Sequence, residues 1–98
     1  MHTLVVLYGQ PVDPSAFDDY YTNTHTPLAL GLPGARATRA SLNLNAPEGQ
    51  SPYYAIFEAD FDTSEDMANA LESPQGQLAQ ADTRNFATGG LTLLDYSH

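Results

Sequence analysis

The 98-residue chain contains no cysteine and no lysine, and each absence removes a class of chemistry. Without cysteine there are no disulfides and no thiolate nucleophiles, which agrees with a cytoplasmic location. Without lysine there is no Schiff-base chemistry and no Walker-type phosphate loop. No run of about 18 apolar residues is present to span a membrane. The N-terminal stretch also lacks the basic segment of a signal peptide.

Positive charge is scarce, because twelve acidic residues outnumber Arg36, Arg39 and Arg84 and leave a net charge of −9. Three arginines cannot form the basic footprint that a phosphate backbone requires, so we expect no nucleic-acid partner. Anionic membranes would repel the same surface, so we expect no membrane partner either. Solubility is the simplest consequence of the acidity. The length predicts a single domain over residues 1–98.

The periodic segments follow the order strand, helix, strand, strand, helix, strand. Strands are predicted over residues 3–8, 35–44, 53–61 and 91–96. Asp13 and Pro14 mark the start of the first helix, and Ser73 and Pro74 restart the second one, which continues to Asp82. This order predicts an α+β, ferredoxin-like βαββαβ sandwich, with a four-stranded antiparallel sheet and helices on one face.

The third predicted strand has two faces that are both rather apolar. Tyr53, Ala55, Phe57, Ala59 and Phe61 alternate on one face, and Tyr54, Ile56, Glu58 and Asp60 alternate on the other. The helices can cover only one face, so a second sheet is expected to pack against Tyr54 and Ile56. We therefore expect a homodimer with a barrel-like core. Arg39, on the neighbouring strand, is placed to pair with Glu58 or Asp60.

His25 is the only histidine away from the chain ends, and its ordinary pKa suits proton chemistry near neutral pH. An apolar stripe runs along the same helix at helical spacing and comprises Phe17, Tyr20, Tyr21, Thr24 and Leu28. His25 lies at the edge of this stripe, about 40° around the helix from Tyr21. Pro27 cannot donate a backbone hydrogen bond, so the helix is expected to end or kink beside His25.

Two interpretations of this cluster remain open. In the first, His25 is a general acid–base, Tyr20 or Tyr21 donates to developing negative charge, and Phe17, Tyr21 and Leu28 form the apolar body of a pocket. In the second, the tyrosines pack and His25 binds a nearby carbonyl. Asn85 and Phe86 either close one end of a pocket or cap the core.

No metal or cofactor is indicated. The run from Asp60 to Ser64 resembles a calcium loop only superficially, because Glu65 stands where the required glycine belongs. No cluster has the spacing of zinc ligands, and no glycine-rich nucleotide fingerprint is present.

Several segments together resemble the EthD family of the dimeric α+β barrel superfamily. They are Val6-Leu7-Tyr8, the helix carrying Phe17, Tyr20, Tyr21, His25, Pro27 and Leu28, then Leu32-Pro33-Gly34, Ser73-Pro74-Gln75-Gly76 and Asn85-Phe86-Ala87-Thr88-Gly89-Gly90. The resemblance covers nearly the whole chain. It implies a homodimer formed sheet to sheet, with a pocket in each subunit for a small apolar, aromatic or polyketide-type ligand.

The resemblance also implies a range of activities. Members are similar to cofactor-free isomerases, cyclases, decarboxylases and monooxygenases, and others have an accessory role. His25 is the position to which a catalytic role is carried over, with Tyr20 or Tyr21 beside it, and Tyr8 is counted among the ligand-binding residues. The absence of lysine and the extra acid disfavour an anionic substrate. Two hypotheses follow: a cofactor-free enzyme using His25 as acid–base, and a non-catalytic binding or accessory homodimer.

Overall fold

Segments with alternating apolar residues form one four-stranded antiparallel sheet. A computed structural model describes this sheet and all of residues 1–98. The strands are β1 (His2–Gly9), β2 (Ala37–Leu42), β3 (Tyr53–Phe61) and β4 (Leu91–Ser97). Their order is β2-β3-β1-β4, so β1 pairs along its length with both β3 and β4. The ferredoxin-like fold predicted from the element order is confirmed.

The helices pack on one face of this sheet. They are α1 (Pro14–Tyr20), a π-helical turn (Tyr21–His25), α2 (Thr26–Ala29), α3 (Ser64–Glu72), α4 (Pro74–Asp82) and a 3₁₀ turn (Thr83–Asn85). The predicted caps are confirmed, because the Asp13 carboxylate accepts from the Ala16 N–H and the Ser73 hydroxyl accepts from the Gly76 N–H. None of these helices is both long and apolar enough to cross a membrane.

The first helix widens at Pro27 rather than ending there. The backbone N–H of Thr26 bonds to the carbonyl of Tyr21, five residues earlier, and the Thr26 hydroxyl donates to the same oxygen at 2.8 Å. Because Pro27 has no N–H to offer, the chain passes through the π-helical turn and resumes as α2. The expected irregularity next to His25 is therefore present, and His25 is only 4% exposed.

The core lies between the sheet and the helices. Leu4, Val6 and Tyr8 of β1 share the helix-facing side with the buried apolar residues of β3. In α3 the buried residues are Met67 and Ala70. Ala68 is exposed, because it follows Met67 by one residue and therefore lies about 100° around the helix from it.

Tyr54 is the clearest departure from simple strand alternation. Tyr8 pairs with Ala55 and Gly9 pairs with Tyr53, so Tyr54 is an extra residue in β3, as in a β-bulge. Its ring packs on Phe17, and its hydroxyl donates to Asp18 at 2.7 Å. The prediction that Tyr54 shares a face with Ile56 is therefore wrong, because the bulge turns its side chain toward the helices.

The other side of the sheet carries no helix. Its apolar residues include Val5, Leu7, Ile56, Leu94 and Tyr96, as the strand registers show. Arg39 lies on the same side and bonds to both Glu58 and Asp60, so the predicted pairing extends to both carboxylates. Hydrogen bonds from Arg39 and Thr3 lower the pKa of Asp60 to about 2.

Candidate functional site

A cavity of about 250 Å³ lies between the sheet and the helices. Its sheet wall is apolar and consists of Leu4, Val6, Phe57, Leu91 and Leu93. Its helical wall includes the small residues Ala29, Gly76 and Ala79 beside Leu32 and Leu71. The small residues let α2 and α4 pack close to each other. Their short side chains leave space between these helices and the sheet, and this space is the cavity.

The cavity runs along β1. Asp82, at the end of α4, binds His25, so this end of α4 lies beside Tyr8. Gly76, at the start of α4, packs on α3, where a Cβ at this position would overlap the carbonyl oxygens of Ala70 and Leu71. The distance along β1 from Tyr8 to Leu4 is about 13 Å at the usual rise per residue. One end of the cavity is therefore polar and the other apolar.

His25 is fixed at the polar end by both of its ring nitrogens. Its Nδ1 lies 3.0 Å from the Oδ2 atom of Asp82, and its Nε2 lies 3.4 Å from the hydroxyl oxygen of Tyr8. Phe86 packs against the imidazole with the ring centroids 4.5 Å apart. Because the π-helical turn places this ring on the buried side of the helix, His25 lines the cavity.

The surroundings of His25 favour a neutral ring. Burial lowers its pKa below the usual 6.5, and the hydrogen bond and charge of Asp82 oppose that effect without cancelling it. A neutral imidazole that donates from Nδ1 to a carboxylate carries no proton on Nε2. The lone pair on Nε2 then faces the Tyr8 hydroxyl, which lies 3.4 Å away at the polar end of the cavity.

Asp82 is the partner that orients His25, and it is held from three sides. Besides the contact with His25, its Oδ1 accepts from the Tyr20 hydroxyl at 2.6 Å and from the Asn85 amide at 3.0 Å. Burial by itself would raise the pKa of Asp82, but the hydrogen bonds from Tyr20, Asn85 and His25 outweigh it and hold the pKa below its usual value. Asp82 therefore stays ionised near neutral pH.

Tyr8 supplies the donor at the same end. Its side chain is 1% exposed, and burial, followed by the charges of Tyr21 and Asp82, raises its pKa far above the usual value. A tyrosine with such a high pKa keeps its proton and can donate a hydrogen bond to an oxygen that gains negative charge. Tyr8 and His25 thus offer a donor and an acceptor to one ligand group.

Aromatic rings pack behind this pair. Tyr21 stacks on Phe17 and on His25, with ring centroids 5.4 and 5.8 Å apart. Burial raises the pKa of Tyr21 to about 12, and its hydroxyl is buried without a hydrogen-bond partner. A buried hydroxyl without a partner costs about 1–3 kcal/mol of stability, and the packing of the Tyr21 ring offsets this cost.

The residues singled out in the sequence fall into four groups in the structure. Of them, His25 and Tyr8 line the cavity. Tyr20 and Asn85 reach the site through Asp82. Phe17, Tyr21 and Phe86 pack behind the lining. Leu28 is half-buried and is not part of the cavity wall.

Sequence reasoning missed Asp82 as well as the cavity-lining Gln80 and Thr83. Asp82 is separated from His25 by 57 positions, and nothing in its own segment distinguishes it from other helical acids. The nearest recognisable feature in the sequence is the Asn85-Phe86 pair, three positions after Asp82, which was already singled out as a possible end of a pocket. No group of three or more His, Asp or Glu side chains could hold a metal ion.

Comparison with known proteins agrees with this architecture. A family model for the EthD domain matches residues 9–90. An uncharacterized 11.0 kDa protein of the thcB-thcC intergenic region in Rhodococcus erythropolis is 37% identical, covering 96% of this chain and 91% of that protein.

Solved structures give the same answer. A crystal structure of an EthD family protein from Bacillus halodurans superposes with a TM-score of 0.93 at 35% identity, covering 100% of this chain and 98% of that one. A dimeric protein with a ferredoxin-like fold from Bacteroides fragilis superposes with a TM-score of 0.71 at 17% identity, covering 99% and 95% of the two chains. The family match over residues 9–90 and the two relatives above 30% identity establish that this chain belongs to the EthD family.

Proposed function

We propose that this protein is a cofactor-free acid–base enzyme, of the isomerase, cyclase or lyase kind, acting on a small and largely apolar compound. The observation that carries the proposal is the His25–Asp82 pair at the polar end of an otherwise apolar cavity. A few polar groups converging in an apolar cleft are the usual make-up of a small-molecule site.

The geometry supports a specific division of roles. Asp82 holds the Nδ1–H of His25, so Nε2 is the atom that takes a proton from the ligand. When it does, the imidazole becomes positively charged next to an ionised carboxylate, which stabilises that charge. Asp82 is a positioning residue in this scheme, because it acts through His25 and does not line the cavity.

The proposed elementary step is transfer of a proton from a carbon next to a carbonyl group. The C–H bond breaks, its proton goes to Nε2 of His25, and its electron pair moves into an enolate. The enolate oxygen accepts a hydrogen bond from the Tyr8 hydroxyl. Return of the proton from Nε2 to a carbon atom completes an isomerisation without any oxidant or reductant.

Hydrogen–deuterium exchange at the α-carbon of a neutral ketone tests this step directly. We propose incubating propiophenone with the protein in D₂O and following loss of the α-proton NMR signal above the buffer background. General acid–base help is typically worth about 100- to 10,000-fold in rate, so His25→Ala should lose exchange by that order. His2→Ala is the matched control, because His2 bonds to Asp95 and Ser97 and is not part of the cavity wall.

Two outcomes would remove the catalytic proposal. Exchange that persists in His25→Ala would mean that another group transfers the proton. Propiophenone that binds at His25 without any exchange would instead favour the non-catalytic binding or accessory protein.

We also propose that two copies of the chain associate through the helix-free side of the sheet. Leu94 and Tyr96 on that side are 52% and 47% exposed, which is unusual for neighbouring large apolar residues of an isolated subunit. The protein from Bacteroides fragilis with the same fold is described as dimeric. Interfaces of obligate dimers bury roughly 2,000 Å² or more, so a whole sheet face is a suitable size.

A further inference from the structure

Resting on the proposed function, we infer the class of compound that the cavity takes. The geometry points to a neutral, elongated molecule of about ten non-hydrogen atoms, with its single hydrogen-bonding group at one end. That group lies between Tyr8 and His25, and the apolar remainder extends along β1 toward Leu4. Three features of the cavity wall lead to this assignment: the positions of its free polar atoms, its charge, and its size.

The free hydrogen-bond donors of the cavity wall lie at one end only. Besides Tyr8 and His25, the polar side chains in the wall are Gln80 and Thr83. The Gln80 amide donates to the carbonyls of Leu71 and Gly76 at 2.8 and 3.1 Å. The Thr83 hydroxyl donates to the carbonyl of Gln80 at 2.7 Å. Because these donors are already used within the protein, the oxygen of a second polar group at the far end of a ligand would lose its hydrogen bonds to water without gaining a donor.

The charge around the cavity selects against anions. No arginine lines it, and the chain has no lysine. The carboxylate of Asp82 lies 3.0 Å from Nδ1 of His25, at the end where the polar group of the ligand binds. A carboxylate ligand would therefore be buried near a like charge without a cation to compensate, which makes its binding unfavourable.

The size follows from the small residues of α4. A cavity of 150 Å³ can hold benzene, so 250 Å³ corresponds to about ten non-hydrogen atoms. Ala79 lies between Gly76 and Thr83 on α4, at the middle of the cavity, and is 8% exposed. A larger side chain at Ala79 would occupy the space into which the apolar end of the ligand extends. Ala79 is thus the residue that we expect to limit ligand length.

Three ring compounds test the class, with the imidazole NMR signals of His25 as the readout. Propiophenone has ten non-hydrogen atoms and one oxygen, on the carbonyl group that joins its phenyl ring to a short two-carbon end. 4′-Hydroxypropiophenone adds a polar group at the opposite end, and 3-phenylpropanoate replaces the neutral oxygen with an anion. We expect propiophenone to shift the His25 signals, and the other two to bind about tenfold more weakly or worse.

Two helix variants test the role of Ala79. Ala79→Leu should abolish the propiophenone-dependent shift, whereas Ala81→Leu, at an exposed position of the same helix, should retain it. Melting curves of both variants verify that they fold. Retained propiophenone binding in a folded Ala79→Leu variant would overturn its assignment as the length-limiting residue.

The outcomes separate the inference from the function on which it rests. If the anion or the hydroxylated ketone shifts the His25 signals at the same concentration as propiophenone, the assigned ligand class is wrong and the cavity remains a binding site. If none of the three shifts the His25 signals, both the inference and the proposed site are wrong.

Discussion

The hydroxyl oxygen of Tyr8 lies 3.4 Å from Nε2 of His25, although Tyr8 belongs to a strand and His25 ends a π-helical turn. Burial lowers the pKa of His25 and raises that of Tyr8. The pKa values of the two groups therefore differ more than usual. His25 is left as a base without its second proton, next to the Tyr8 hydroxyl, which keeps its proton. Such a divergence between neighbouring titratable groups is typical of acid–base sites.

Replacing Asp82 with Asn tests how the pair is oriented. The carboxylate opposes the lowering of the His25 pKa, so Asp82→Asn should lower that pKa further. Loss of the charge should also reduce the rate of ketone deuteration, by an amount within the about 100- to 10,000-fold range of acid–base help. The pKa is measured from the pH dependence of the deuteration rate and of the His25 NMR signals.

Asp95→Asn is the matched control for Asp82→Asn. Asp95 makes a similar contact, 2.7 Å from Nε2 of His2, but it is not part of the cavity wall and does not contact His25. This variant should leave the deuteration rate and the His25 titration unchanged. An Asp82→Asn variant with the wild-type titration curve would show that Asp82 does not orient His25.

Stability should fall when the pH drops below 6.5. Since burial lowers the pKa of His25 in the folded state, the unfolded chain binds its proton more readily, and protonation favours unfolding. The contribution of His25 is complete above pH 6.5 and is lost as the pH falls toward its folded pKa. The slope for one such group is at most about 1.4 kcal/mol per pH unit.

Asp82 contributes in the same direction only below pH 3.8, because its folded pKa is also lowered. Among the groups with shifted pKa values, only His25 therefore titrates between pH 6.5 and 3.8. Urea unfolding as a function of pH measures the slope, and His25→Gln should flatten it in this window. An equal slope in wild type and His25→Gln would contradict the assigned direction of the shift.

Two tyrosine-to-phenylalanine changes at adjacent positions should have opposite effects. The Tyr21 hydroxyl is buried without a partner, so Tyr21→Phe should leave the free energy of unfolding unchanged or raise it by up to about 1 kcal/mol. The Tyr20 hydroxyl donates to Asp82, so Tyr20→Phe should lower the free energy of unfolding. Urea unfolding curves of both variants decide this. A Tyr21→Phe variant that is clearly less stable than wild type would mean that its hydroxyl has a partner.

Much of the fold could be predicted because apolar spacing and capping residues determine it locally. Asp13 and Ser73 accept from the first turns of their helices as expected. Tyr54 could not be placed, because its bulge depends on how β3 pairs with β1 and not on its own segment. Local alternation assigns Tyr54 to the face of Ile56, and only the shifted pairing of Gly9 with Tyr53 turns Tyr54 toward Phe17.

The candidate site was predictable in part for the same reason. His25 stands out because its residue type is rare in this chain and because Pro27 disturbs the helix beside it. Asp82 approaches His25 only after α4 packs against α2, so a single sequence contains no pattern that links them. Tyr8 is likewise brought to His25 by tertiary packing between β1 and the first helix.

A charge on the helix-free side of the sheet should separate the proposed dimer. Leu94→Glu would place a carboxylate in the interface, so we expect light scattering to report the 10.6 kDa mass of one chain. Leu30→Glu is the control, because Leu30 is 58% exposed next to α2 on the helical side. The wild type and Leu30→Glu should both show twice the chain mass. A wild-type protein that is monomeric at micromolar concentration would contradict the dimer.

The account depends most directly on which nitrogen of His25 holds the proton near neutral pH. Long-range proton–nitrogen NMR correlation distinguishes the two neutral tautomers and the charged imidazolium in the folded protein. We predict that His25 is neutral at pH 7, with the proton on Nδ1 and Nε2 free to accept from a ligand. A proton on Nε2, or a doubly protonated ring at pH 7, would contradict the proposed role of His25 as the base of this site.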